Sequence, residues 1–268
     1  MKSRSLLNRD AEGNYKFSHK SILEYFLAKE AYDNPDFYDQ MEFAGMDQAL
    51  QFFSEMVQRP EMVLVEGGTF MMGENYEVTL SSYEIGKYPV TQRLWTEIME
   101  GYPSHFQNNR DLPVEQVSWH DVQKFLGKLN KRYPGMDYRL PTEAEWEFAA
   151  RGGNLSKGFE YAGSDNPNEI GWYRDNSKEK THLVGLKKAN ELQIFDMSGN
   201  VWEWCADWYD DYPSSFHKNP SGPRKGTYRV VRGGSWYSFS GALRNSVRDG
   251  HAPGVRRSSM GFRLARSL

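Results

Sequence analysis

The spacing of apolar residues divides the chain into two parts with different patterns. Over residues 15–56 apolar side chains recur close to the helical period, and a second helix is predicted at about residues 46–57. Pro60 then interrupts the pattern, because proline cannot continue a helix. We therefore predict a short N-terminal helical segment at residues 1–60 and a separate domain at residues 61–268.

Beyond residue 60 the chain consists of short apolar runs separated by Gly, Pro and Asn, which is typical of strands joined by turns. Residues 62–66 predict a strand, and Gly67-Gly68 the turn that follows it. Aromatic residues make up 15% of the chain and 24 residues are Gly, a composition that favours a folded, loop-rich protein over a disordered one. We expect the α+β fold class.

Two helices are predicted within this second part. Ser118 is a good N-cap, and the apolar positions after it are spaced as one helical stripe, formed by Val122, Phe125, Leu126 and Leu129. Further along the chain, Thr142 and Glu145 have the spacing of a capping box, and Gly152 is a suitable C-terminal stop.

Charge and cysteine content exclude several classes of protein. The net charge of -3 gives no general attraction to nucleic acid, although residues 226–268 hold eight Arg and one acid, Asp249. The single cysteine, Cys205, excludes an intrachain disulfide and a multi-cysteine zinc site. The apolar runs are too short for a transmembrane segment or a signal peptide. This favours the cytoplasm, whereas a lipidated leader removed from the chain would place it at the cell surface, and both compartments stay open.

A series of short motifs follows in a characteristic order along residues 62–268. They are Gly67-Gly68-Thr69-Phe70-Met71-Met72-Gly73, Tyr88-Pro89-Val90-Thr91, Pro113-Val114, Val117-Ser118-Trp119, Arg139-Leu140-Pro141-Thr142-Glu143-Ala144-Glu145-Trp146-Glu147, Asp196-Met197-Ser198-Gly199-Asn200-Val201-Trp202-Glu203-Trp204, Arg232-Gly233-Gly234-Ser235-Trp236 and Gly261-Phe262-Arg263. This series resembles the formylglycine-generating enzyme, or sulfatase-modifying factor, superfamily. The resemblance implies a C-type-lectin-like fold with little regular secondary structure.

The same resemblance implies that the family's copper chemistry is absent. Its enzymes bind copper with two cysteines shortly after the Gly-Gly-Ser motif, because a thiolate pair can hold Cu(I). The matching positions here are Ser238 and Leu243, and Cys205 belongs to a different motif. We therefore expect no catalytic residues, no enzymatic activity and no required cofactor.

An iron site of the kind found in a second branch of the superfamily, the sulfoxide synthases, is also not expected. That branch resembles this domain joined to a helical domain with three histidine ligands. No two histidines of this chain are spaced to share a helical face. The six are His19, His105, His120, His182, His217 and His251.

One metal site remains among the predictions. In the resembled family, a loop supplies calcium with two side-chain and two backbone oxygens, which suits a hard cation. The matching residues are Asp196, Gly199, Val201 and Glu203. The alternative is that the two acidic side chains only hydrogen-bond the turn around Gly199-Asn200. The sequence leaves both interpretations open, so calcium is a possible structural ion.

The segment from residue 237 to residue 260, together with the residues that flank it, contains two alternating sets of positions. One set, the frame, consists of Gly233, Gly234, Ser235, Trp236, Leu243, Arg244, Arg248, Pro253, Arg256, Gly261, Phe262 and Arg263. We expect the frame to fix the loops, with its arginines bonded to backbone carbonyls. The other set, the variable positions, consists of Tyr237, Ser238, Phe239, Ser240, Gly241, Ala242, Asn245, Ser246, Val247, Asp249, Gly250, His251, Ala252, Gly254, Val255, Arg257, Ser258 and Ser259.

The variable positions have the composition of a binding surface. They combine Ser and Gly with Tyr, Phe, Asn, Asp, His and Arg, as antibody paratopes do. They contain no Lys, Glu, Gln, Trp or Met, the residues that changes at the adenines of an AAC codon cannot reach. The region of this chain at about residues 232–268 thus resembles the variable region of the variable proteins of diversity-generating retroelements. The alternative is an ordinary Gly/Ser-rich loop of an inactive family member.

Three functions are consistent with these observations. The first is a non-catalytic protein that binds a protein or other macromolecular ligand, and not nucleic acid, through its diversifiable surface. The second is a metal-dependent oxidase or synthase of the same superfamily. The third is the sensor end of a NACHT-type signalling ATPase, because residues 17–28 resemble the end of the helical region of those proteins, although His19 is interpreted as structural and no phosphate-binding loop is present. The oligomeric state is left open.

Overall fold

The computed structural model describes residues 7–9, 15–17, 26–27, 59–73, 75–212 and 216–268. The chain separates into two compact units, Met1–Pro60 and Glu61–Leu268. Where the structure describes helices, none is both long and apolar enough to span a membrane.

In the first unit a short antiparallel hairpin precedes a helical residue pair. Strand β1 (Leu7–Arg9) pairs with β2 (Tyr15–Phe17), and residues 26–27 are helical. The helical pattern predicted from residue 15 is therefore wrong for residues 15–17. Their apolar-polar-apolar alternation suits a strand, and their backbone pairs with a neighbouring segment. Residues 26–27 are helical as predicted, and the other residues of the predicted N-terminal helices up to residue 57, including residues 46–57, lie outside the described residues.

The second unit contains three described sheets. The strands are β3 (Met62–Val65), β4 (Gly68–Met72), β5 (Tyr76–Leu80), β6 (Tyr83–Gly86), β7 (Trp202–Trp208), β8 (His217–Lys218), β9 (Arg229–Arg232), β10 (Arg248–His251), β11 (Met260–Gly261) and β12 (Ala265–Ser267). The strand orders of the sheets are β10-β9-β7-β11, β12-β6-β3 and β4-β5-β8, with β11 parallel to β7 and β8 parallel to β5. The last strand, β12, pairs antiparallel with β6, so the C-terminus closes onto the start of this unit.

The predicted first strand of this unit is confirmed as β3, and the turn after it is one residue shorter than expected. Gly67 lies in the turn, whereas Gly68 already begins β4. A Cβ atom on Gly67 would lie 2.5 Å from the Leu80 carbonyl oxygen, so only glycine fits this position.

Four α-helices are described, and the two that the sequence predicts are confirmed. The helices are α1 (Gln92–Ile98), α2 (Trp119–Arg132), α3 (Glu143–Ala150) and α4 (Pro167–Ile170). Ser118 and Thr142 cap α2 and α3 through capping boxes with Asp121 and Glu145, and Gly152 follows α3 in the left-handed conformation. Helices α1 and α4 are too short to be recognised from periodicity. The predicted stripe of α2 is its buried face.

Helix α3 is buried along its whole length, which is unusual for a helix with three glutamates. Its Trp146 and Phe148 pack in a core with strands β4 to β6, and a second core surrounds α1 and α2. In that second core the rings of Trp95 and Phe125 stack at 5.3 Å, with Phe262 edge-on to both. Each such buried aromatic contributes roughly 2–3 kcal/mol by removal from water.

Two fully buried arginines connect these cores to carboxylates. The Arg263 guanidinium donates to both carboxylate oxygens of Glu203 at 2.6 and 2.7 Å, and to the carbonyls of Gly86 and Phe195. The same carboxylate accepts a 2.6 Å hydrogen bond from Trp146 Nε1. Every charge in this cluster is paired, which is the condition for burying ions in a protein interior.

The second buried arginine, Arg232, ends β9 and joins the core to the C-terminal loops. Its guanidinium is hydrogen-bonded to the Glu147 carboxylate and lies 3.2 Å from Glu143 Oε1. It also donates to the carbonyls of Asn245 and Val247 at 3.0 and 2.6 Å. Arg232 therefore fixes the backbone of a loop that the sequence assigns to the binding surface.

We predict that Arg263→Met destabilises the protein by about 3–5 kcal/mol, because it leaves the Glu203 carboxylate buried with Trp146 as its remaining partner in the described structure. The free energy of unfolding from urea titration at neutral pH measures this loss.

The matched control is Arg93→Met, which removes the exposed pair with Asp111 and is expected to cost about 1 kcal/mol or less. The double variant Arg263→Met/Glu203→Leu should recover part of the loss. If Arg263→Met and Arg93→Met lower the free energy of unfolding equally, the buried pair contributes no more to stability than the exposed pair.

Candidate functional site

The candidate surface begins at a tight turn that only glycine can form. Gly233 and Gly234 both have positive φ, at 93° and 73°. A Cβ on Gly233 would lie 3.0 Å from the Trp146 ring, and one on Gly234 would lie 2.9 Å from the Leu243 side chain. The turn is therefore packed against the core from both sides, as predicted for frame positions.

Residues after the turn are fastened to the core by the frame and by backbone hydrogen bonds. Trp236 donates its indole N–H to the Ser258 carbonyl at 2.9 Å, and its own carbonyl accepts from Ser177 Oγ. Leu243 is fully buried in a small cluster with Tyr161, Ile170 and Tyr173. The backbone of the segment is thus held independently of its outward-facing side chains.

Most of the variable positions are accessible. Tyr237 and Phe239 are 65% and 66% exposed, the largest exposed aromatic side chains of this segment. Asp249, Gly254 and Arg257 are exposed. The half-buried ones are Ser238, Ser240, Gly241, Ala242, Ser246, Val247, Gly250, His251, Ala252, Val255, Ser258 and Ser259.

The exception is Asn245, which the structure buries to 1% exposure. Its side-chain nitrogen donates to the Phe159 carbonyl, its backbone N–H donates to the Glu160 carbonyl, and its own carbonyl is bonded to Arg232. The assignment of Asn245 as a ligand-binding position is corrected, because its side chain is buried and its side-chain nitrogen and both backbone groups are hydrogen-bonded inside the protein. It belongs to the frame.

Ser238 is only partly available to a ligand. Its hydroxyl accepts a hydrogen bond from the Ser235 backbone N–H at 3.0 Å, and the two serine hydroxyls lie 3.2 Å apart. Ser238 and Leu243 are the positions where the resembled enzymes have copper-binding cysteines. One is engaged in a serine turn and the other is a buried aliphatic residue, so neither can ligate Cu(I).

Two neighbours of the surface come from outside the predicted segment. Phe106 packs its ring edge-on against Trp236 at 5.5 Å, and the Arg174 guanidinium lies 4.7 Å from the Phe239 ring centroid. Tyr237 contacts the other side of Trp236 at 5.4 Å. The sequence offered no signal for Phe106 or Arg174, because loops distant along the chain bring them here.

The frame arginines confirm the predicted role, with one correction. Arg244 donates to the Gly241 carbonyl, Arg248 to the Asp210 carbonyl, and Arg263 to two buried carbonyls. Arg256 instead makes a two-pronged salt bridge with the Asp121 carboxylate at 2.7 and 2.9 Å. That contact ties the surface segment to the start of α2. Although burial raises the Asp121 pKa, the contact with Arg256 and the hydrogen bonds from Ser118 lower it to about 2.

The basic character of residues 226–268 is largely neutralised within the fold. Arg229 lies between the rings of Trp119 and Trp208, at 3.9 and 3.6 Å. Within the described part of the chain, Arg229 and Arg257 are the arginines of this segment for which no ion pair is found. The pairs of the others are Arg232 with Glu143 and Glu147, Arg244 with Glu160, Arg248 with Glu143, Arg256 with Asp121, Arg263 with Glu203 and Arg266 with Glu84.

The predicted calcium loop forms a sharp turn beneath the Gly-Gly turn. Asp196, Gly199 and Asn200 all have positive φ, and the Gly199 backbone N–H donates to the Gly233 carbonyl at 2.7 Å. Glu203 is engaged by Arg263 on both carboxylate oxygens. In the described regions no cluster of three or more His, Cys, Asp or Glu side chains is arranged to hold a metal.

Asp196 is the unusual member of this loop. Its Oδ2 accepts the Gly185 N–H at 2.7 Å, whereas its buried Oδ1 has no hydrogen-bond partner in the described structure. Burial raises the pKa of this carboxyl to about 6, partly offset by the Gly185 N–H. A buried carboxylate oxygen without a hydrogen-bond partner is a suitable ligand for a hard cation. In this respect the loop fits calcium.

A buried carboxyl that the sequence analysis overlooked lies beneath the surface. Glu115 is fully buried, its Oε1 accepts the Phe106 backbone N–H at 2.9 Å, and its Oε2 has no partner in the described structure. Burial raises its pKa to about 7, partly offset by backbone N–H groups of Phe106 and His105. The available signal was a charged residue between the valines of Pro113-Val114-Glu115-Gln116-Val117.

Comparison with known proteins identifies a family and several relatives of this chain. Residues 48–268 match the family model of the sulfatase-modifying factor enzyme 1-like domain. Chaperone protein LppX of Paenibacillus barcinonensis is 37% identical, over 66% of this chain and 79% of LppX. The formylglycine-generating enzyme of Streptomyces coelicolor is 36% identical, over 62% of this chain and 56% of that enzyme. An inactive Cα-formylglycine-generating enzyme 2 of Bos taurus is 29% identical, over 66% of this chain and 57% of its own.

Among solved structures, Treponema denticola variable protein 1 has the same fold. It superposes with a TM-score of 0.72 at 32% identity, covering 77% of this chain and 95% of its own. The matched family thus includes enzymes, an inactive homologue and a variable protein, and the chain spans little more than half of the formylglycine-generating enzymes it matches.

We predict that Glu115 makes the protein less stable as pH rises through about 7. The carboxyl stays protonated in the folded state up to that pH, whereas it ionises near its ordinary pKa when unfolded. Its contribution is therefore fully present below the ordinary pKa and is lost as pH rises through the raised one. Glu115→Gln should flatten the decline in unfolding free energy between pH 5 and pH 8, measured by urea titration.

The control variant is Glu100→Gln, at an exposed position. Asp196 and Asp207, whose pKa values are also raised, should leave a residual slope of the same sign in Glu115→Gln. A slope unchanged from the wild type would contradict the prediction.

Proposed function

Because the chain belongs to the sulfatase-modifying factor family but lacks its copper-binding cysteines, we propose that it is a non-catalytic binding protein. Its ligand surface consists of the accessible variable positions, from Tyr237 to Ser259 without Asn245. The observation that supports this proposal best is the division of that segment into residues that hold the backbone and residues that face outward. Buried frame residues hold the backbone, while Tyr237 and Phe239 are exposed and belong to neither of the two large core clusters of the described structure.

Such a division lets the exposed residues change without loss of the fold. The buried bonds of Arg232 end on main-chain carbonyls of Asn245 and Val247, which are present whatever the side chain at Val247. The backbone of Ser238 accepts from the Arg174 N–H in the same way. Main-chain anchoring of this kind is what a scaffold for diversified side chains requires, and the likeness to a variable protein supports the same function.

The absence of enzymatic activity is proposed on the residues themselves. The chain has one thiol, that of Cys205, and it is fully buried in β7, where burial raises its pKa well above the ordinary value. A buried, protonated thiol is a poor metal ligand and nucleophile. The positions that match the two catalytic cysteines carry Ser238 and Leu243.

The proposed partner is a protein or another macromolecule rather than nucleic acid. Exposed aromatics flanked by small polar residues give large contact area at low cost in side-chain entropy. The arginines that made the segment basic are mostly paired within the fold, and they therefore provide little charge for phosphate contacts.

We predict that this gene, sequenced from many isolates, varies at the accessible positions from Tyr237 to Ser259 and is constant at the frame. Asn245 should be constant too, because its backbone and side chain are bonded inside the protein. A reverse transcriptase gene and a near-copy of the codons for this segment are expected nearby.

A uniform segment without such a copy would overturn the diversified-surface proposal. The enzymatic alternative is tested on the purified protein, by oxygen consumption with Cu(I) and a cysteine-containing peptide. Turnover above that of free copper would contradict a non-catalytic function.

We also propose that the loop around Asp196 binds calcium as a structural ion. Asp196 would supply a carboxylate oxygen, and Gly199 and Val201 backbone carbonyls, whereas the fourth predicted ligand, Glu203, already has both carboxylate oxygens bound by Arg263. The support is the unsatisfied Asp196 Oδ1 in the described structure. When bound, the ion would supply positive charge to a turn that already carries three positive-φ residues and contacts the Gly-Gly turn.

We predict that calcium at about 100 times its Kd raises the free energy of unfolding by about 2.7 kcal/mol relative to a chelator. Asp196→Asn should abolish this increase, whereas the exposed Asp175→Asn should retain it. Thermal unfolding with calcium, magnesium or chelator measures the effect. An increase that survives Asp196→Asn, or none in the wild type, would overturn the assignment.

A further inference from the structure

A cleft of about 500 Å³ lies at the N-terminal end of α3, lined mainly by residues that the proposed binding surface does not use. Its walls come from β5, α3, the end of β7, β8 and the loop at residues 219–223. The cleft is half open to solvent and large enough for a small organic molecule or a single side chain.

Aromatic rings form much of the wall. Tyr76 and Tyr212 stack with their centroids 5.4 Å apart, and His217 lies edge-on to Tyr76 at 5.7 Å. Trp208 also lines the cleft. The Arg248 guanidinium already lies 4.2 Å from the Tyr212 ring centroid and that of Arg229 3.6 Å from the Trp208 ring centroid, so these rings offer a ligand mainly apolar surface.

Carboxylates dominate the polar lining once internal pairs are taken into account. Glu143 and Arg248 form a two-pronged salt bridge at 2.7 Å, so their charges offset each other. Asp207, Asp210 and Asp211 also line the cleft, and no ion pair is found for them within the described residues. The exposed Lys218 is the remaining cation of the lining.

Asp207 is the central group of the cleft. It is 4% exposed, and its Oδ2 accepts the Glu143 backbone N–H at 2.9 Å. No hydrogen bond is found for Asp207 Oδ1 in the described part of the structure. Unlike the buried Asp196 Oδ1, this atom is not fully enclosed. The Gly222 backbone packs against the Asp207 side chain, so close that a Cβ on Gly222 would lie 3.2 Å from Oδ1.

We propose that this cleft binds a small organic cation, a primary ammonium or guanidinium group attached to an apolar stem. The ammonium or guanidinium donates hydrogen bonds to the Asp207 carboxylate, and the stem packs against Tyr76, Tyr212 and Trp208. Asp210 and Asp211 at the cleft attract the cation electrostatically. This site is separate from the proposed ligand surface and does not depend on it.

The titration of Asp207 gives the site a pH dependence. Burial, and secondly the neighbouring Glu143 carboxylate, raise its pKa to about 7, so a cation binds best above that pH, where Asp207 is ionised. The charged and titratable groups around it are Glu143 and Glu145 near α3, Arg248 on β10, Arg229 on β9, Tyr76 on β5, Cys205 on β7, and Asp210, Asp211, Tyr212, His217 and Lys218 along the cleft.

The test is an NMR titration of the full chain with benzylammonium, and with benzyl alcohol as the neutral probe of the same shape. We predict that benzylammonium binds at least about tenfold more tightly than benzyl alcohol. Its Kd should fall about tenfold from pH 6 to pH 8, because the ionised fraction of Asp207 rises by about that factor. Asp207→Asn should raise the Kd at least about tenfold and remove this pH dependence.

Matched variants separate Asp207 from general electrostatics. Asp175→Asn removes an exposed carboxylate that does not line the cleft and should bind like the wild type, and His217→Gln should keep the pH dependence. Equal affinity for the two probes, or equal affinity of Asp207→Asn and Asp175→Asn, would overturn the proposal. If Asp207→Asn does not fold, the two probes and the pH series on the wild type decide the matter.

Discussion

Two buried arginines hold this protein together. Arg232 and Arg263 are fully enclosed, and between them they bind Glu143, Glu147 and Glu203. Ions this deep are tolerated only when opposite charges are paired, and here the guanidinium groups also donate hydrogen bonds to main-chain carbonyls of loops. A domain with so little regular secondary structure uses this network where others use strand ladders and helices.

The network also explains how the backbone of the candidate surface can be rigid while its exposed side chains can be replaced. Arg232 bonds the carbonyls of Asn245 and Val247, and Arg256 ties the segment to Asp121 at the start of α2. These contacts leave Tyr237 and Phe239 projecting from a fixed backbone. Since loops are normally the mobile parts of a fold, anchoring through buried charge is what gives this one a defined shape for a partner.

Helix α3 connects the candidate surface to the cleft through Arg248. Arg248 pairs with Glu143, which lines the cleft, while the next residue, Asp249, is exposed among the variable positions. Family membership alone does not assign either region a ligand. Ser238 and Leu243 cannot form a thiolate pair, and the buried frame beneath exposed Tyr237 and Phe239 supports the binding function that we propose.

The family, the fold class, the N-caps of α2 and α3, the capping box of α3 and the frame glycines could all be predicted from the sequence, because each follows from local spacing or an ordered series of motifs. Prediction failed where distant segments meet. The start of the predicted N-terminal helix is a strand, Asn245 is buried, Arg256 binds a carboxylate, and Glu115 and Asp207 are protonatable interior groups. These features required the three-dimensional structure, because burial and ionic partners depend on which parts of the chain are brought together in space.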